Sequence, residues 1–245
     1  MDQSPENTQF FLTSETPCPY LEGRQERKLF THLGGRRAQL MHHLLSDHGF
    51  RRSQNLIYRP ACAHCAACRS VRIVASEFSP SQRHRRILSK NKDVTSFQVE
   101  PRATLEQYDL FYAYLTARHE GGGMTQMSLT DYEYMVEDTP VDTIVIEYRL
   151  TAEPDEPLVG VALSDTMPDG LSMVYSFFDP ALTNRGLGNF MILDHITRVT
   201  DCNRPYVYLG YWVKDSPKMA YKATYRPLQV QEGTLGWRAW RNDAE

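Results

Sequence analysis

The sequence predicts a mixed α/β chain, with a smaller amino-terminal α+β domain that binds a metal and a larger carboxy-terminal α/β domain. Three observations predict this class. Cysteines in the first half are spaced Cys62-x2-Cys65-x2-Cys68, which is typical of a metal knuckle. The charge changes from basic to acidic near residue 102. Beyond that point, two helix patterns precede three strand patterns joined by short turns. The predicted domains are therefore residues 1–102 and 103–245.

The composition places the chain among cytoplasmic globular proteins that do not bind membranes. Of its 245 residues, 41% are apolar and 23% charged, as in ordinary soluble domains. It has no run of about 18 apolar residues, which a membrane-spanning helix needs. The start, "MDQSPENTQFFLTSE", is acidic and polar, unlike a secretory signal peptide. Five cysteines, an odd number with three in one short run, argue against disulfides and for a reducing compartment.

The net charge of −3 conceals three segments of opposite sign. Residues 23–102 contain 16 Lys and Arg against 5 Asp and Glu, whereas residues 103–213 contain 5 against 17. Residues 214–241 are basic again, with 6 against 2. Two basic segments on either side of an acidic one predict a polyanionic partner such as nucleic acid. Mutual neutralisation of the segments within the fold is the alternative.

The elements of the first domain surround the cysteines. A helix is predicted over residues 36–47, where Leu40, Leu44 and Leu45 supply an apolar face and Gly49 a stop. Two strands, "NLIYR" and "SVRIV", bracket the cysteine loop, which predicts a hairpin-like connection. The stretch "SPSQRHRRILSKNKD" (79–93) begins with a Ser cap and a proline in the first turn, which predicts a short basic helix.

The second domain has the more informative element order. Helices are predicted over residues 104–120 and 130–138, separated by "GGGM". The strands "DTIVIEYRL", "PLVGVALSDT" and "LSMVYSFFD" follow, and a glycine loop, "TNRGLG", leads into the helix "NFMILDHITRVT". A strand "YVYLGYW", a short helix around "SPKMAYKA" and a strand near "RPLQV" close the chain. This is the element order of a GNAT-like acyltransferase domain.

The three clustered cysteines predict a metal site that needs a fourth ligand. Neither a tetrahedral site nor a cubane cluster is complete with Cys62, Cys65 and Cys68 alone. Cys18, in "TPCPYLEGR", is the candidate, and His64 within the loop is the alternative. Thiolate ligation suits both zinc and an iron–sulfur cluster, so a structural zinc staple and an oxygen-sensitive cluster both stay open.

Three further stretches predict phosphate and nucleotide contacts. Gly186 and Gly188 in "NRGLGN" precede a helix, whose first N–H groups could cradle phosphates, although a plain turn also needs glycine. The stretch "YLGYWVKDSPKMAYKATYRP" (208–227) interleaves aromatic residues, which stack bases, with Lys and Arg, which bind phosphates. The basic run "RHRRILSKNK" suits a phosphate backbone. A packed core segment and a solvated helix are the alternatives.

Taken together, these stretches resemble the aminoacyl-tRNA–protein transferases of the N-degron pathway. The bacterial branch, which transfers leucine to N-terminal Asp or Glu and marks proteins for degradation, is the nearest match. The resemblance spans nearly the whole chain. It is carried by "CPYLEGR", "LLSDHGFRRSQNLIYRPACAHCAACRSVRI", "FSPSQRHRRIL", "ARHEGGGM" and "LGYWVKDSPKMAYKATYRP". It implies a composite GNAT-like fold that binds leucyl-tRNA where an acetyltransferase binds acetyl-coenzyme A.

The resemblance also bears on cofactors. Eukaryotic arginyl members carry a "CxxC…CC" pattern associated with an iron–sulfur cluster, which corresponds here to Cys18 with the three clustered cysteines. Leu21 stands where those members have a second amino-terminal cysteine, and this departure leaves iron–sulfur and zinc as alternatives. Thr183 stands where acetyltransferases usually have Gln or Arg, which fits a ligand other than coenzyme A.

The implied reaction assigns roles to several side chains. The aminoacyl ester is already activated, so the protein must mainly hold the target amine against it and accept a proton. The candidate proton acceptors are His119, Asp215 and Tyr211. An acidic first residue calls for an arginine fork, for which the candidates are Arg51, Arg52 and Arg72. The candidates for tRNA binding are Arg83, Arg85, Arg86, Lys218, Tyr221, Lys222, Gly186 and Gly188.

Three alternatives to leucyl transfer remain at the level of sequence. Arginyl transfer belongs to the same family and is barely separable from leucyl transfer by sequence. A coenzyme A-dependent N-acetyltransferase would share the fold, although Thr183 and the basic amino-terminal block favour another ligand. A non-catalytic module that binds zinc and RNA is the third alternative, and salt-sensitive tRNA binding without transfer activity would favour it.

Overall fold

A computed structural model describes residues 8–118, 126–153 and 155–241 of the chain. It has a mixed α/β fold built on one large mixed sheet. The helices are α1 (Ala38–Asp47), α2 (Gln82–Lys90), α3 (Leu105–Arg118), α4 (Leu129–Glu137) and α5 (Leu187–Asp201). Among the described residues, no helix has the length and apolar character to cross a membrane.

The strands divide between a large sheet and two small ones. Six short strands precede the cysteine loop: β1 (Phe11–Leu12), β2 (Thr16–Pro17), β3 (Gln25–Glu26), β4 (Lys28–His32), β5 (Arg51–Ser53) and β6 (Leu56–Pro60). The large sheet contains β7 (Arg69–Val74), β8 (Val94–Val99), β9 (Thr143–Leu150), β10 (Leu158–Met167), β11 (Gly170–Phe178), β12 (Tyr206–Trp212), β13 (Leu228–Gln231) and β14 (Trp237–Ala239). Its order is β14-β13-β7-β12-β11-β10-β9-β8.

The predicted meander forms the middle of the large sheet. β9, β10 and β11 pair antiparallel, and their long apolar runs are buried on both faces of the sheet. Helices α3 and α4 cover one face, where Phe111 and Tyr132 pack against Phe177. Helix α5 covers the other face through Met191 and its neighbours. The helix–helix–meander–helix–strand order predicted from the sequence is confirmed.

The sheet separates between its two parallel strands. β11 and β12 pair only over Gly170–Ser172 and Tyr206–Tyr208, after which no pairing between them is recorded. Beyond these residues, the carboxy-terminal halves of the two strands bound a gap, here called the strand wedge. Helix α5 follows β11 and begins at the same end, as expected where parallel α/β sheets bind ligands.

The amino-terminal strands form separate, smaller sheets. β1, β4, β6 and β5 make a four-stranded sheet, and β2 pairs with β3 in a hairpin. β6 and β7, the two strands that bracket the cysteine loop, lie in different sheets, so the predicted hairpin-like connection is wrong. The chain enters the large sheet between Pro60 and Arg69, and β8 joins that sheet too. The predicted division at 102/103 therefore does not coincide with the passage between sheets.

Helix α1 is present where the sequence predicts it, but its buried face differs. Leu40 and Leu44 are 59% and 56% exposed, whereas His42 and Ser46 are buried. The predicted leucine face is wrong for Leu40 and Leu44, whereas Leu45 packs on the core together with Met41. On the buried side of the helix, His42 also meets the buried carboxylate of Asp165 on β10.

Candidate functional site

Four cysteines line one cavity of about 690 Å³. Cys62, Cys65 and Cys68 come from the loop between β6 and β7. Cys18 comes from the β2–β3 hairpin, where its N–H donates to the Arg24 carbonyl at 2.8 Å. The hairpin and the loop thus bring residues far apart in sequence to the same cavity, and the predicted role of Cys18 as fourth ligand stays a prediction.

The thiols of this cavity are half-buried and unoxidised. Burial, with the neighbouring Cys18, Cys62 and Cys65, raises the pKa of the Cys68 thiol to about 12. In the residues that the structure describes, no group of three His, Cys, Asp or Glu side chains is arranged to hold a metal ion. The donor set nonetheless suits a soft metal, because four thiols face one space.

Arg51 is a buried cation without a carboxylate partner among the described residues. It is 6% exposed, and its Nη1 donates a long bond of 3.4 Å to the Phe50 carbonyl. Within the part of the chain that the structure describes, its Nε and Nη2 have no hydrogen-bond partner. The guanidinium lies over the rings of Tyr208 and Trp237, at 5.2 and 5.9 Å from their centres. Burial lowers the pKa of Arg51, so its environment favours the approach of an anion.

Arg52 points elsewhere and is committed to the fold. Its Nε and Nη2 donate to the two carboxylate oxygens of Asp165, each at 2.6 Å, and both side chains are almost fully buried. Nη2 also donates to Thr143, and Nη1 donates to the Gln54 carbonyl. The prediction that Arg52 binds the acidic substrate is wrong, because its fork already holds a carboxylate of the protein.

Arg72 is also buried, and most of its donors are used. Its Nε donates to Gln229 at 2.8 Å, and its Nη1 donates to the Tyr208 hydroxyl at 3.0 Å. Its guanidinium stacks 3.5 Å from the centre of the Tyr206 ring and 4.4 Å from that of Trp237. Arg51 and Arg72 therefore share the Trp237 ring, which places two of the three predicted arginines around one aromatic group.

The three candidate proton acceptors do not form one cluster. His119 lies outside the described residues. Tyr211 is buried, and its hydroxyl lies 2.9 Å from the carbonyl oxygens of both Gly49 and Tyr58. Burial raises the pKa of Tyr211 far above its ordinary value, so its phenol keeps its proton and donates to these carbonyls, an arrangement that does not favour the predicted role of proton acceptor. Asp215 is exposed and lines a second cavity with Lys214.

The basic helix lies against the glycine loop. On α2, Arg83, Arg85 and Arg86 are exposed, while Ile87 faces inward. Lys90 donates to the Asn184 carbonyl at 2.9 Å, and Asn91 donates to the Arg185 carbonyl at 3.0 Å. The sequence predicts both elements as phosphate contacts, and the structure brings them together at the start of α5.

Glycine is required at positions 186 and 188 of this loop for different structural reasons. Gly186 adopts a φ of 68°, in the left-handed region that favours glycine, and α5 begins after it without a side-chain cap. A side chain at Gly188 would place its Cβ 3.0 Å from Phe178 Cε1, so glycine lets α5 approach β11 closely. The uncapped helix start keeps N–H groups available beside the strand wedge.

The aromatic and basic segment after β12 folds back on α2. Tyr225 stacks on His84, with ring centres 4.8 Å apart, and its hydroxyl donates to Asn189 Oδ1 at 2.8 Å. Lys218 is exposed, and Tyr221 is 37% exposed. These two predicted tRNA contacts therefore lie in a segment joined to both α2 and the start of α5.

Lys222 departs from its predicted role on the surface. Its Nζ donates to the carbonyl oxygens of Leu209 and Tyr211 at 2.8 and 2.6 Å, and the residue is 9% exposed. Burial, followed by the nearby Arg51, lowers the pKa of Lys222 to about 7. The prediction that Lys222 binds tRNA phosphates is wrong, because its ammonium is buried against the backbone of β12.

Sequence reasoning missed Trp237 and Asp165. Trp237 contacts both Arg51 and Arg72 from a short last strand that carries no strong strand pattern. Asp165 interrupts the apolar run of β10, and a carboxylate in such a strand is the signal that a buried partner exists. That signal would have indicated that one of the three predicted arginines, Arg52, pairs with a carboxylate of the protein rather than with the substrate.

The chain is similar to known proteins in both of its halves. The family model of the arginine-tRNA-protein transferase N terminus matches residues 16–86, and that of the C terminus matches residues 106–232. An aspartate/glutamate leucyltransferase of Sinorhizobium medicae is 52% identical over 248 residues, covering 98% of this chain and 95% of the relative. One of the same name from Mesorhizobium japonicum is 52% identical over 252 residues, covering 100% and 99%.

Among solved structures, the crystal structure of FemX has a TM-score of 0.48 with 10% identity, covering 80% of this chain and 61% of that chain. The family models span both halves of the chain, and the similarity to the two relatives extends along almost all of it. The chain therefore belongs to the family of aminoacyl-tRNA–protein transferases, which are aminoacyltransferase enzymes.

Proposed function

We propose that the protein transfers leucine from leucyl-tRNA to the α-amino group of proteins whose first residue is Asp or Glu, and thereby marks them for degradation in the cytoplasm. The observation that carries the proposal is the 52% identity, along nearly the whole chain, to relatives named aspartate/glutamate leucyltransferase. Arginyl transfer within the same family is the second candidate, supported by the name of the matching family models.

The acidic side chain of the acceptor protein binds Arg51 in this proposal. Arg51 is the one of the three predicted arginines with two unpaired nitrogens in a buried position. An unpaired buried charge is costly, and a carboxylate would satisfy both nitrogens at once. Arg72 and Trp237 complete the surroundings of the guanidinium. An acceptor that begins with Ala would leave Arg51 unsatisfied.

The aminoacyl-tRNA binds along the opposite side of the strand wedge. Helix α2, which carries the exposed arginines, contacts the loop before α5 through Lys90, and Tyr225 of the segment that follows Lys218 and Tyr221 contacts both α2 and the start of α5. Together they offer cations, backbone N–H groups and an aromatic face to the acceptor end of tRNA. The ester carbonyl of the leucyl group then lies in the wedge, in a GNAT-like manner but without coenzyme A.

Catalysis rests mainly on orientation. The leucyl ester is an activated acyl donor, and holding an amine against it in the correct geometry can lower the barrier by about 7–11 kcal/mol. A donor aimed at the tetrahedral oxyanion adds about 2.7–4 kcal/mol. The chain must therefore fix the acceptor through its carboxylate and the donor through its tRNA on the two sides of β12.

The four cavity thiols of Cys18, Cys62, Cys65 and Cys68 would hold a metal, either zinc or an iron–sulfur cluster. The donor set supports this, because thiolates are the ligands of choice for both. When bound, the metal would tie the β2–β3 hairpin to the cysteine loop. Tyr58 and Tyr211 line the same cavity. The bound metal would thus stabilise the neighbouring strands β5 and β7, which carry Arg51 and Arg72.

A transfer assay tests the proposed function. The protein is incubated with radiolabelled leucyl-tRNA or arginyl-tRNA and with peptides that begin with Asp, Glu or Ala. Leucine is expected on the Asp and Glu peptides only. Transfer of arginine instead would establish the second candidate, and equal labelling of all three peptides would disprove the acceptor specificity.

The role of Arg51 has its own test. Arg51→Gln is expected to raise KM for an Asp-initiated peptide at least 10-fold, because a buried charge-assisted pair is lost. The affinity for leucyl-tRNA should not change. Arg36→Gln, which removes an exposed arginine, is the matched control. An unchanged KM in a folded Arg51→Gln protein would place the acceptor carboxylate elsewhere.

A further inference from the structure

The side chain of Lys222 enters the strand wedge from the segment after β12. Its Nζ bridges the carbonyl oxygens of Leu209 and Tyr211. Because one nitrogen reaches both carbonyls, the two oxygens lie on the same side of β12, and the strand edge that pairs with β7 is the other one. The pairing with β11 has ended by this point. Nζ therefore occupies the edge of β12 that faces the wedge.

A bulge in β12 creates this position. The register with β7 shifts between Tyr208 and Gly210, which adds one residue to β12. Gly210 adopts a φ of 74°, and no atom lies within 4 Å of where its Cβ would stand. The backbone is thus turned at the wedge with open space beside it, as is frequent next to active sites.

The ammonium leaves one bonding position unused. A lysine nitrogen makes three such bonds when charged, and the two carbonyls account for two. Among the described residues, no third partner and no carboxylate contact is recorded for Nζ. In the neutral amine, both N–H groups stay bonded to the same carbonyls, and the lone pair takes the third position. The geometry therefore holds Nζ equally well in both protonation states.

The surroundings favour the neutral form. Burial is the main cause that lowers the pKa of Lys222 to about 7, and the charge of Arg51 on β5 is the next. Tyr211 on β12 faces Lys222 through its carbonyl, and its phenol stays neutral because burial raises its pKa. Near neutral pH, both forms of Lys222 are thus populated, as a proton-transfer group requires.

We propose that Lys222 is the catalytic residue that moves protons during aminoacyl transfer, an inference that rests on the proposed function. The neutral Nζ takes a proton from the α-ammonium group of the acceptor. The freed amine attacks the ester carbonyl, so a C–N bond forms and the carbonyl π pair moves to oxygen.

Collapse of the tetrahedral intermediate reforms the carbonyl and breaks the C–O bond to the ribose. The charged Nζ gives a proton to the leaving ribose oxygen and takes the second proton from the new amide nitrogen. That proton leaves Nζ for solvent and resets the amine. The overall change is an ester and an ammonium ion converted into an amide, an alcohol and one proton.

The test compares Lys222→Arg with the wild type in single-turnover transfer of leucine to an Asp-initiated peptide between pH 6 and 9.5. Arginine retains donors for the two carbonyls but does not lose its proton. We expect Lys222→Arg to be about 100-fold to 10,000-fold slower. The wild-type rate should rise with an apparent pKa of about 7 or above, because the bound carboxylate offsets the charge of Arg51, and Lys222→Arg should lack this rise.

Arg36→Lys, at an exposed position just before α1, is the control and should behave like the wild type. Unchanged leucyl-tRNA affinity and thermal midpoint in Lys222→Arg would show that the loss is chemical. Rescue of the full rate and of the wild-type pH profile by arginine would overturn the proposal, because only the carbonyl contacts would then matter. A wild type that transfers no leucine would instead disprove the proposed function.

A direct titration covers the case in which the variant does not fold. The chain has six lysines, at positions 28, 90, 92, 214, 218 and 222. In wild-type protein labelled with ¹³C-lysine, one Cε resonance should titrate near pH 7, and substitution of the other lysines assigns it to Lys222 by elimination. Titration of all six above pH 9 would overturn the proposal.

Discussion

Substitution of Arg52 separates a structural arginine from a substrate-binding one. In Arg52→Met, Asp165 loses both of its 2.6 Å charge-assisted bonds and stays in a site where it has no exposed surface. It keeps only the Thr143 hydroxyl at 2.9 Å and His42 Nε2 at 3.3 Å. With Arg52 in place, burial lowers the pKa of His42 to about 4 and keeps it neutral at pH 7, and Arg52 itself contributes to the lowering, so its loss shifts the pKa of His42 upward from there.

The magnitude follows from the burial of the pair. Removing one partner of a buried ion pair costs about 3–5 kcal/mol, because the other charge is left uncompensated. A domain is stable by about 5–15 kcal/mol in total, so Arg52→Met should lose a large part of its stability. Urea unfolding measures this as a lower midpoint with an unchanged slope. The KM for an Asp-initiated peptide, measured on the folded fraction, should not change.

The double variant Arg52→Met with Asp165→Leu is the internal control. Replacing both charges with apolar groups removes the uncompensated carboxylate, so most of the lost stability should return. If instead Arg52→Met kept its stability within about 1 kcal/mol and raised KM for the peptide, the reasoning would be refuted. Arg52 would then be a substrate contact, as the sequence first indicates.

Two further predictions concern the cysteine cavity and the start of α5. Cys65→Ser should lose both the bound metal, measured by elemental analysis, and the transfer activity. Cys202→Ser, which changes an exposed thiol, should keep both. Full activity of Cys65→Ser without metal would show that the metal site is dispensable. Gly188→Val should lower stability by about 1–3 kcal/mol in urea unfolding, because a Cβ there already lies 3.0 Å from Phe178. Gly34→Ala, where a Cβ meets nothing within 4 Å, should change little, and equal effects would contradict the packing argument.

Apolar periodicity and turn residues predicted the helices and strands that depend only on the local sequence. The meander of β9, β10 and β11 and the helix after the glycine loop follow from apolar periodicity and turn residues, and the structure confirms them. The rotation of α1 could not be predicted in this way. Its buried side includes the contact between His42 and Asp165, which are separated by more than one hundred residues. Leu40 and Leu44 are exposed.

The same limit applies to the site. The cysteine spacing and the resemblance predicted that Cys18 would join the clustered thiols, and all four line one cavity. Spacing cannot tell which arginine already has a carboxylate partner, because Arg51 and Arg52 are adjacent and their side chains alternate in direction along β5. One meets Asp165 and the other meets aromatic rings. Which of the two arginines faces Asp165 depends on how β5 pairs within the fold.

The positions of Arg51 and Lys222 join substrate choice to chemistry. Arg51 contributes to the lowered pKa of Lys222, so the two cations are electrostatically coupled. A carboxylate bound to Arg51 would neutralise that charge and raise the affinity of Lys222 for a proton. The proton affinity of Lys222 would thus increase when the acceptor binds, which is when the acceptor amine must lose its proton. An acceptor without an acidic side chain would leave Arg51 unpaired and Lys222 a weaker base, so it would be disfavoured in the chemical step as well as in binding.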